Sequence, residues 1–201
     1  MKLPAKRNRL PRSFYDRSPE QVARQLLGKA LVRQIDGEWV GGLIVETEAY
    51  LAQRDLASHS SRGQTISNAA MFGPPGTLYV YPIHAKYCMN AVTEKAGRGS
   101  AVLIRALEPI WGVDRMKQNR GLDDPRRLTR GPAMLCQALA VDRDDDHKDL
   151  TRDREIMIAE THANSDVKVR ATPRIGISRA QQLRLRFVVT DNMYVSGPKI
   201  Q

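Results

Sequence analysis

Ile44, Glu46, Glu48 and Tyr50 recur at every second position of the segment Gly42–Tyr50. On a strand, that spacing puts them on one face, with Leu43, Val45, Thr47 and Ala49 on the other. Two carboxylates beside an aromatic ring are either a solvated face or the start of a site. Taken alone, the solvated face is the better reading, because Glu is common on the open side of a sheet. Arg105 changes that weighting. It stands inside Ala101–Leu107, AVLIRAL, where a guanidinium sits at a pocket wall or pairs with a carboxylate, since an unpaired buried charge is prohibitive. Glu46, Glu48 and Glu108 are the available partners. The pairing is either a structural ion pair or a carboxylate that activates water while the arginine holds both in place. Residue types alone leave both readings open.

Aromatic residues are scarce, at 5% of the chain, yet Tyr50, Phe72, Tyr79, Tyr81 and Tyr87 fall within residues 50–87 together with His59 and His84. They form either ordinary core or flat walls for a planar ligand. Stacking contributes about 1–3 kcal/mol per base, enough to hold an extruded base.

The elements that position these residues are legible in outline. Ser18-Pro19-Glu20 supplies an N-cap, a proline at the first helical position and a first-turn acid, so 19–27 reads as a helix that Gly28 ends. Lys29–Gln34 and Glu38–Tyr50 read as strands joined by the turn Asp36-Gly37. Leu78–Tyr81, Tyr87–Val92 and Ala101–Leu107 are further strands, as are Glu155–Ala159, Val167–Ala171 and Leu185–Thr190. Pro109–Asn119 and Pro132–Ala140 read as helices. Strands in hairpins rather than in βαβ order predict an α+β domain with a mixed, largely antiparallel sheet and flanking helices. Residues 1–12 are expected as a basic flexible arm and 13–201 as a single domain.

Composition bounds the partners. The chain has 201 residues, 41% hydrophobic and 27% charged, which excludes a disordered or fibrous protein. No apolar run is long enough for a membrane span, and the N-terminus lacks the apolar stretch of a secretory signal. Cys88 and Cys136 match no zinc spacing and read as buried free thiols in a reducing compartment. Lys and Arg number 32 against 22 Asp and Glu, a net charge of +10. Residues 1–12 and 167–186 carry cations and no acid. One-signed segments favour a polyanion, most often nucleic acid, over a merely solvated face. No phosphate-binding glycine loop is present, so no nucleotide cofactor is expected. Asp142–His147 lacks the glycine and terminal Glu of a calcium loop and reads as a solvated acidic turn, and His147 and His162 have no partners at ligand spacing. No metal is therefore expected.

A resemblance then becomes specific. The segments Val45-Glu46-Thr47-Glu48-Ala49-Tyr50, His59-Ser60, Met71-Phe72 and Pro75–Tyr81 (PGTLYVY) resemble the 3-methyladenine (alkyladenine) DNA glycosylase family. So do Cys88-Met89-Asn90, Val102–Pro109 (VLIRALEP), Gly131-Pro132 and Leu135–Leu139 (LCQAL), in order along most of the chain. The resemblance implies a monofunctional glycosylase without a lysine nucleophile. It flips alkylated or deaminated purines from duplex DNA and hydrolyses the N-glycosidic bond with an activated water. Glu48 matches the family's general base, and Arg105 an arginine that helps position the water. Tyr50 and Tyr81 match aromatics that sandwich the base, His59 a histidine that contacts it, and Leu103 an apolar wall. Asn90 matches an amide that crowds the exocyclic amine of normal guanine. Glu46 matches no assigned role and is expected as a supporting or solvated carboxylate.

The family's protruding β-hairpin usually carries an aromatic wedge. Here the chain reads Tyr81-Pro82-Ile83-His84-Ala85-Lys86-Tyr87, one residue shorter, so either Ile83 or His84 is the expected DNA wedge. The expected partner is double-stranded DNA containing damaged bases, bound by a monomer, in the cytoplasm with the nucleoid in a bacterium or in a eukaryotic nucleus. A non-catalytic reader of bent or damaged duplex accounts equally for charge and aromatics but leaves Glu48 and Arg105 unexplained. An RNA-acting or nucleoside hydrolase is a third reading.

Overall fold

A computed structural model describes residues 1–161 and 167–197. His162 lies outside the described residues. The strands are β1 (Ala30–Ile35), β2 (Glu38–Tyr50), β3 (Leu78–Ile83), β4 (Lys86–Thr93), β5 (Ser100–Trp111), β6 (Ile156–Ala159), β7 (Val169–Thr172) and β8 (Arg186–Val189). They form one sheet with the central order β3-β4-β5-β2-β1-β6, while β8 pairs with β2 and β7 with β8. Every strand pair is antiparallel. The helices are α1 (Arg12–Tyr15), α2 (Pro19–Leu26), α3 (Val113–Arg120), α4 (Pro125–Leu128) and α5 (Pro132–Ala138). The result is an α+β fold, as the hairpin-rich pattern predicts.

Ser18 caps α2 by accepting from the Gln21 N–H, and Pro19 opens the helix. Val22, Ala23 and Leu26 are then buried against β2 and β5. The main core also takes Ile44, Ala49, Leu78, Val80, Met89, Val102 and Ile104 from one face of the sheet. Each large apolar side chain so enclosed stabilises the fold by about 1.5–3 kcal/mol.

Strand β2 departs from simple alternation. Its pairing with β5 shifts between Gly41 and Gly42 and again around Val45. A Cβ on Gly42 would lie 1.9 Å from the Glu108 carbonyl oxygen, so only glycine permits that approach. The irregularity at Val45 turns the strand over. Ile44 and Ala49 both enter the main core, whereas Leu43 enters a separate cluster with Trp111 and Met157. Ile44 therefore does not share a face with Glu46, as strict alternation requires. The same point divides the strand's free edge: β1 pairs up to Leu43, and β8 pairs with Glu46–Glu48.

Two other expectations are corrected. Pro109 does not open a helix. Strand β5 continues through Trp111, with Pro109 opposite Gly42 at the irregularity, where a missing N–H is tolerated. Helix α3 starts only after Gly112, in the left-handed conformation at φ 62°. Nor does the basic start stand away from the domain: Leu10 is buried, Arg9 bridges to Ala159, and the Trp111 indole donates to the Met1 carbonyl.

Cys88 and Cys136 are buried and unpaired, as read from the sequence. In the acidic turn, Asp142 caps a short helical turn, Asp145 pairs with Arg33 and Lys148, and Asp146 accepts from the Val80 N–H. Asp145 is thus buried rather than solvated.

Candidate active site

Cross-strand register assembles the site. Tyr79 of β3 lies opposite Asn90 of β4, Asn90 opposite Leu103 of β5, and Leu103 opposite Glu48 of β2. Residues directly opposite share a face, so all four project to one side. On one side of this rank stand Tyr81, opposite Cys88, and Arg105, two residues beyond Leu103; on the other side stands Tyr50, opposite Ala101. Tyr79, Ala101 and Val92 pack there with Met71 as a small core of their own.

Above this face opens a cavity of about 1280 Å³, lined among others by Tyr50, His59, Tyr81, Asn90, Leu103 and Arg105. The residues singled out for base contact thus meet in one space. Its volume exceeds the roughly 300–1,000 Å³ of a small-molecule site. His59 comes from the turn before Met71; its Nδ1 is 2.8 Å from the Tyr79 hydroxyl, and its ring meets Tyr81 edge-on at 4.5 Å. Burial pushes the His59 imidazole down and pushes the Tyr79 hydroxyl up to about 12. The Asn90 amide donates to the Tyr79 carbonyl at 3.0 Å, which fixes its orientation. Cys88 also lines the cavity, and burial raises its thiol above the ordinary range.

Glu48 is fully buried, one hydrogen bond behind the wall made by Tyr50, Arg105 and Ile175. Its Oε1 accepts from the Ile175 N–H at 2.8 Å and lies 3.2 Å from Arg105 Nη1. Its Oε2 accepts from the Tyr50 hydroxyl at 2.8 Å. A carboxylate has more acceptor sites than these, so Glu48 is oriented without being saturated. Burial, then the adjacent Glu48 charge, push the Tyr50 hydroxyl well above its usual range, so it stays a donor.

Glu46 is neither solvated nor idle. Its Oε1 accepts from Arg105 Nε at 2.8 Å and Arg186 Nε at 2.7 Å, and its Oε2 from the Ser196 N–H at 2.7 Å. Burial alone would raise this carboxyl, but Arg105, Arg186 and the Ser196 N–H outweigh it and hold it below its ordinary value. Arg105 in turn lies between both acids. Burial opposes its charge, and Glu48 and Glu46 more than restore it.

Sequence reasoning missed Arg186 as a partner, although its apolar surroundings, Leu185–Val189 (LRFVV), carry the same signal as those of Arg105. It also missed Arg174, which pairs with Asp55 through two contacts of 2.7 Å. Both arginines lie in the one-signed segment 167–186, which by charge alone reads as facing a polyanion. At 5% and 3% exposed they are instead internal counter-ions. The cations at the cavity rim are Arg62, Arg143 and Arg179.

The hairpin β3–β4 turns through His84 and Ala85, both left-handed at φ 45° and 60°. So tight a turn leaves Ile83 as the last strand residue, on the face of Tyr79 and Tyr81 by the period of two. Ile83 is 38% exposed and lines the cavity mouth, while His84 sits in the exposed turn.

Among the described residues no helix is long and apolar enough to cross a membrane. The family model for methylpurine-DNA glycosylase matches residues 13–193. A protein of Rhodopirellula baltica named "Putative 3-methyladenine DNA glycosylase" is 58% identical over 193 residues, covering 94% of this chain and 83% of that protein. Proteins of the same name from Koribacter versatilis and Legionella pneumophila (strain Lens) are 44% and 46% identical; each alignment covers 94% of this chain, and 94% and 98% of the respective relative. A family model matched over residues 13–193 and relatives up to 58% identical over most of the chain show that it belongs to the methylpurine-DNA glycosylase family, a family of DNA N-glycosylases.

Proposed function

We propose that this protein rotates an alkylated or deaminated purine nucleotide out of duplex DNA into the cavity and hydrolyses its N-glycosidic bond. One observation carries the reading: the Glu48 carboxylate is locked by Arg105, Tyr50 and Ile175 directly behind the wall of a space flanked by the rings of Tyr50, Tyr81 and His59. The flipped base lies against those rings, and an attacking water takes the remaining acceptor site of Glu48, beside Arg105. Glu48 removes the proton as the water oxygen bonds to the anomeric carbon. The bond to the base breaks, and its electron pair leaves with the base. The carboxylate also stabilises the positive charge that grows on the sugar. An alkylated purine is often cationic already, so it departs with little further protonation, and electron-rich ring faces favour it. The products are an abasic site and a free base, with no strand cleavage.

The test is release of free base from duplex oligonucleotides carrying 3-methyladenine, hypoxanthine or ethenoadenine. Release from at least one of the three is expected, with intact strands and with preference over RNA and free nucleosides. Preference for nucleoside would overturn the DNA reading. Binding should weaken with salt, at a slope of about −0.9 per phosphate neutralised by Arg62, Arg143, Arg179 and the basic N-terminal segment.

Of the two wedge candidates, the position of Ile83 supports Ile83. An apolar side chain at the cavity mouth can fill the base step that the rotated nucleotide leaves. Ile83→Ala should slow base release from a paired lesion several-fold more than from a lesion opposite a gap, whereas His84→Ala should change neither appreciably. Single-turnover rates on the two substrates decide this. The reverse ranking would move the wedge to His84.

A further inference from the structure

The segment Arg174-Ile175 touches both halves of the site from behind. Ile175 supplies the N–H that orients Glu48. Arg174, which does not line the cavity, has its guanidinium 4.6 Å from the Tyr50 ring centroid. Its Nη1 donates to the Ala49 carbonyl at 3.0 Å and to Asp55 at 2.7 Å, and its Nη2 donates to Asp55 at 2.7 Å. Both charged side chains are 0% exposed. Asp55 is itself fixed, accepting from the N–H groups of Leu51 and Ala57.

Tyr50 thus lines the cavity with a buried cation against its ring. A ring face attracts a cation through its negative quadrupole. A cation already stacked behind it opposes a second one in front, because water does not screen a buried charge. Asp55 offsets the charge of Arg174, so the balance of that ion pair sets how strongly the cavity face favours a positive base over a neutral one.

We propose that the Arg174–Asp55 pair is a specificity-determining element that sets the preference of the Tyr50 face between cationic and neutral lesion bases. The inference rests on the reading that a flipped base stacks on Tyr50. Arg174 and Asp55 touch no substrate; they act through the ring and are positioning residues.

The two members should have opposite effects. Arg174→Met removes the cation and leaves the Asp55 charge, so the ring should favour a cationic base more. Asp55→Asn leaves the guanidinium uncompensated, so the ring should favour it less. The readout is the ratio of single-turnover kcat/KM for duplexes carrying 7-methylguanine, a cation, and hypoxanthine, which is neutral. The ratio should rise about three-fold or more for Arg174→Met and fall by a similar factor for Asp55→Asn. A merely structural role would slow both substrates alike and leave the ratio unmoved, and that result, or a shift in the same direction for both variants, would overturn the proposal. Circular dichroism identifies folded variants. If Arg174→Met does not fold, Asp55→Asn, which keeps the hydrogen-bonding shape, decides alone. Absence of base release by the unaltered protein would sink the glycosylase reading itself, a different outcome from a ratio that fails to move.

Discussion

Glu48→Gln is expected to lower base release by about 10²–10⁴-fold while lesion-bearing duplex is still bound, because general base catalysis contributes on that scale. The substitution keeps the shape of the side chain and one oxygen to accept from Ile175 or Tyr50. In the proposed mechanism it removes the proton acceptor and the negative charge that faces the sugar. Arg105 remains paired with Glu46, so the fold around the cavity should survive, although the loss of a buried negative charge also costs stability. Single-turnover release and an equilibrium binding assay on the same oligonucleotide give the two numbers. Unchanged release would take Glu48 out of its role and return the site to a non-catalytic reader of damaged duplex. Loss of binding together with release would make the residue structural.

The second large effect is on folding and belongs to Glu46. This carboxylate is the shared acceptor for two buried guanidiniums and the Ser196 N–H. Two acids balance two cations in this network, so Glu46→Gln leaves a net buried positive charge. Breaking a buried pair on one side costs about 3–5 kcal/mol, a large part of the roughly 5–15 kcal/mol that holds a domain together. Urea denaturation should show that loss. Arg186→Met introduced alongside Glu46→Gln should recover part of it, since an uncompensated charge is then removed. A loss below about 1 kcal/mol would mean that water reaches this network.

Acid should expose the same dependence. The folded carboxyl of Glu46 is held below its unfolded value of 4.5, so its stabilisation is complete above that pH and is lost as pH falls through the lower folded value. The Glu46→Gln protein should lack this portion of the acid transition.

Much of the molecule could be read before any coordinates. The Asp36-Gly37 turn, the Ser18-Pro19 helix start and the alternating strands follow from backbone conformation and burial within a few residues of chain. That Arg105 needs a carboxylate follows from its apolar flanks, because the cost of a bare buried charge does not depend on fold. The roles matched to Glu48, Tyr50, Tyr81 and His59 follow from ordered motifs, and the tertiary structure brings the three rings to one cavity with Glu48 behind its wall.

Other features needed the folded chain. Arg105 meets both acids, Glu46 by Nε and Glu48 by Nη1, at a slip of the β2–β5 register, between the Glu46–Ala106 and Thr47–Ile104 pairs. Pro109 reads locally as a helix start, but pairing with Gly42 keeps it in a strand. Arg174 and Arg186 look like cations for a polyanion, yet they are consumed inside by Asp55 and Glu46, more than a hundred residues away in sequence. Local propensity reports energies between neighbours in the chain. Whether a charge faces solvent or a counter-ion depends on which distant strands hydrogen-bond, and that choice is made by the free energy of the whole sheet and its core.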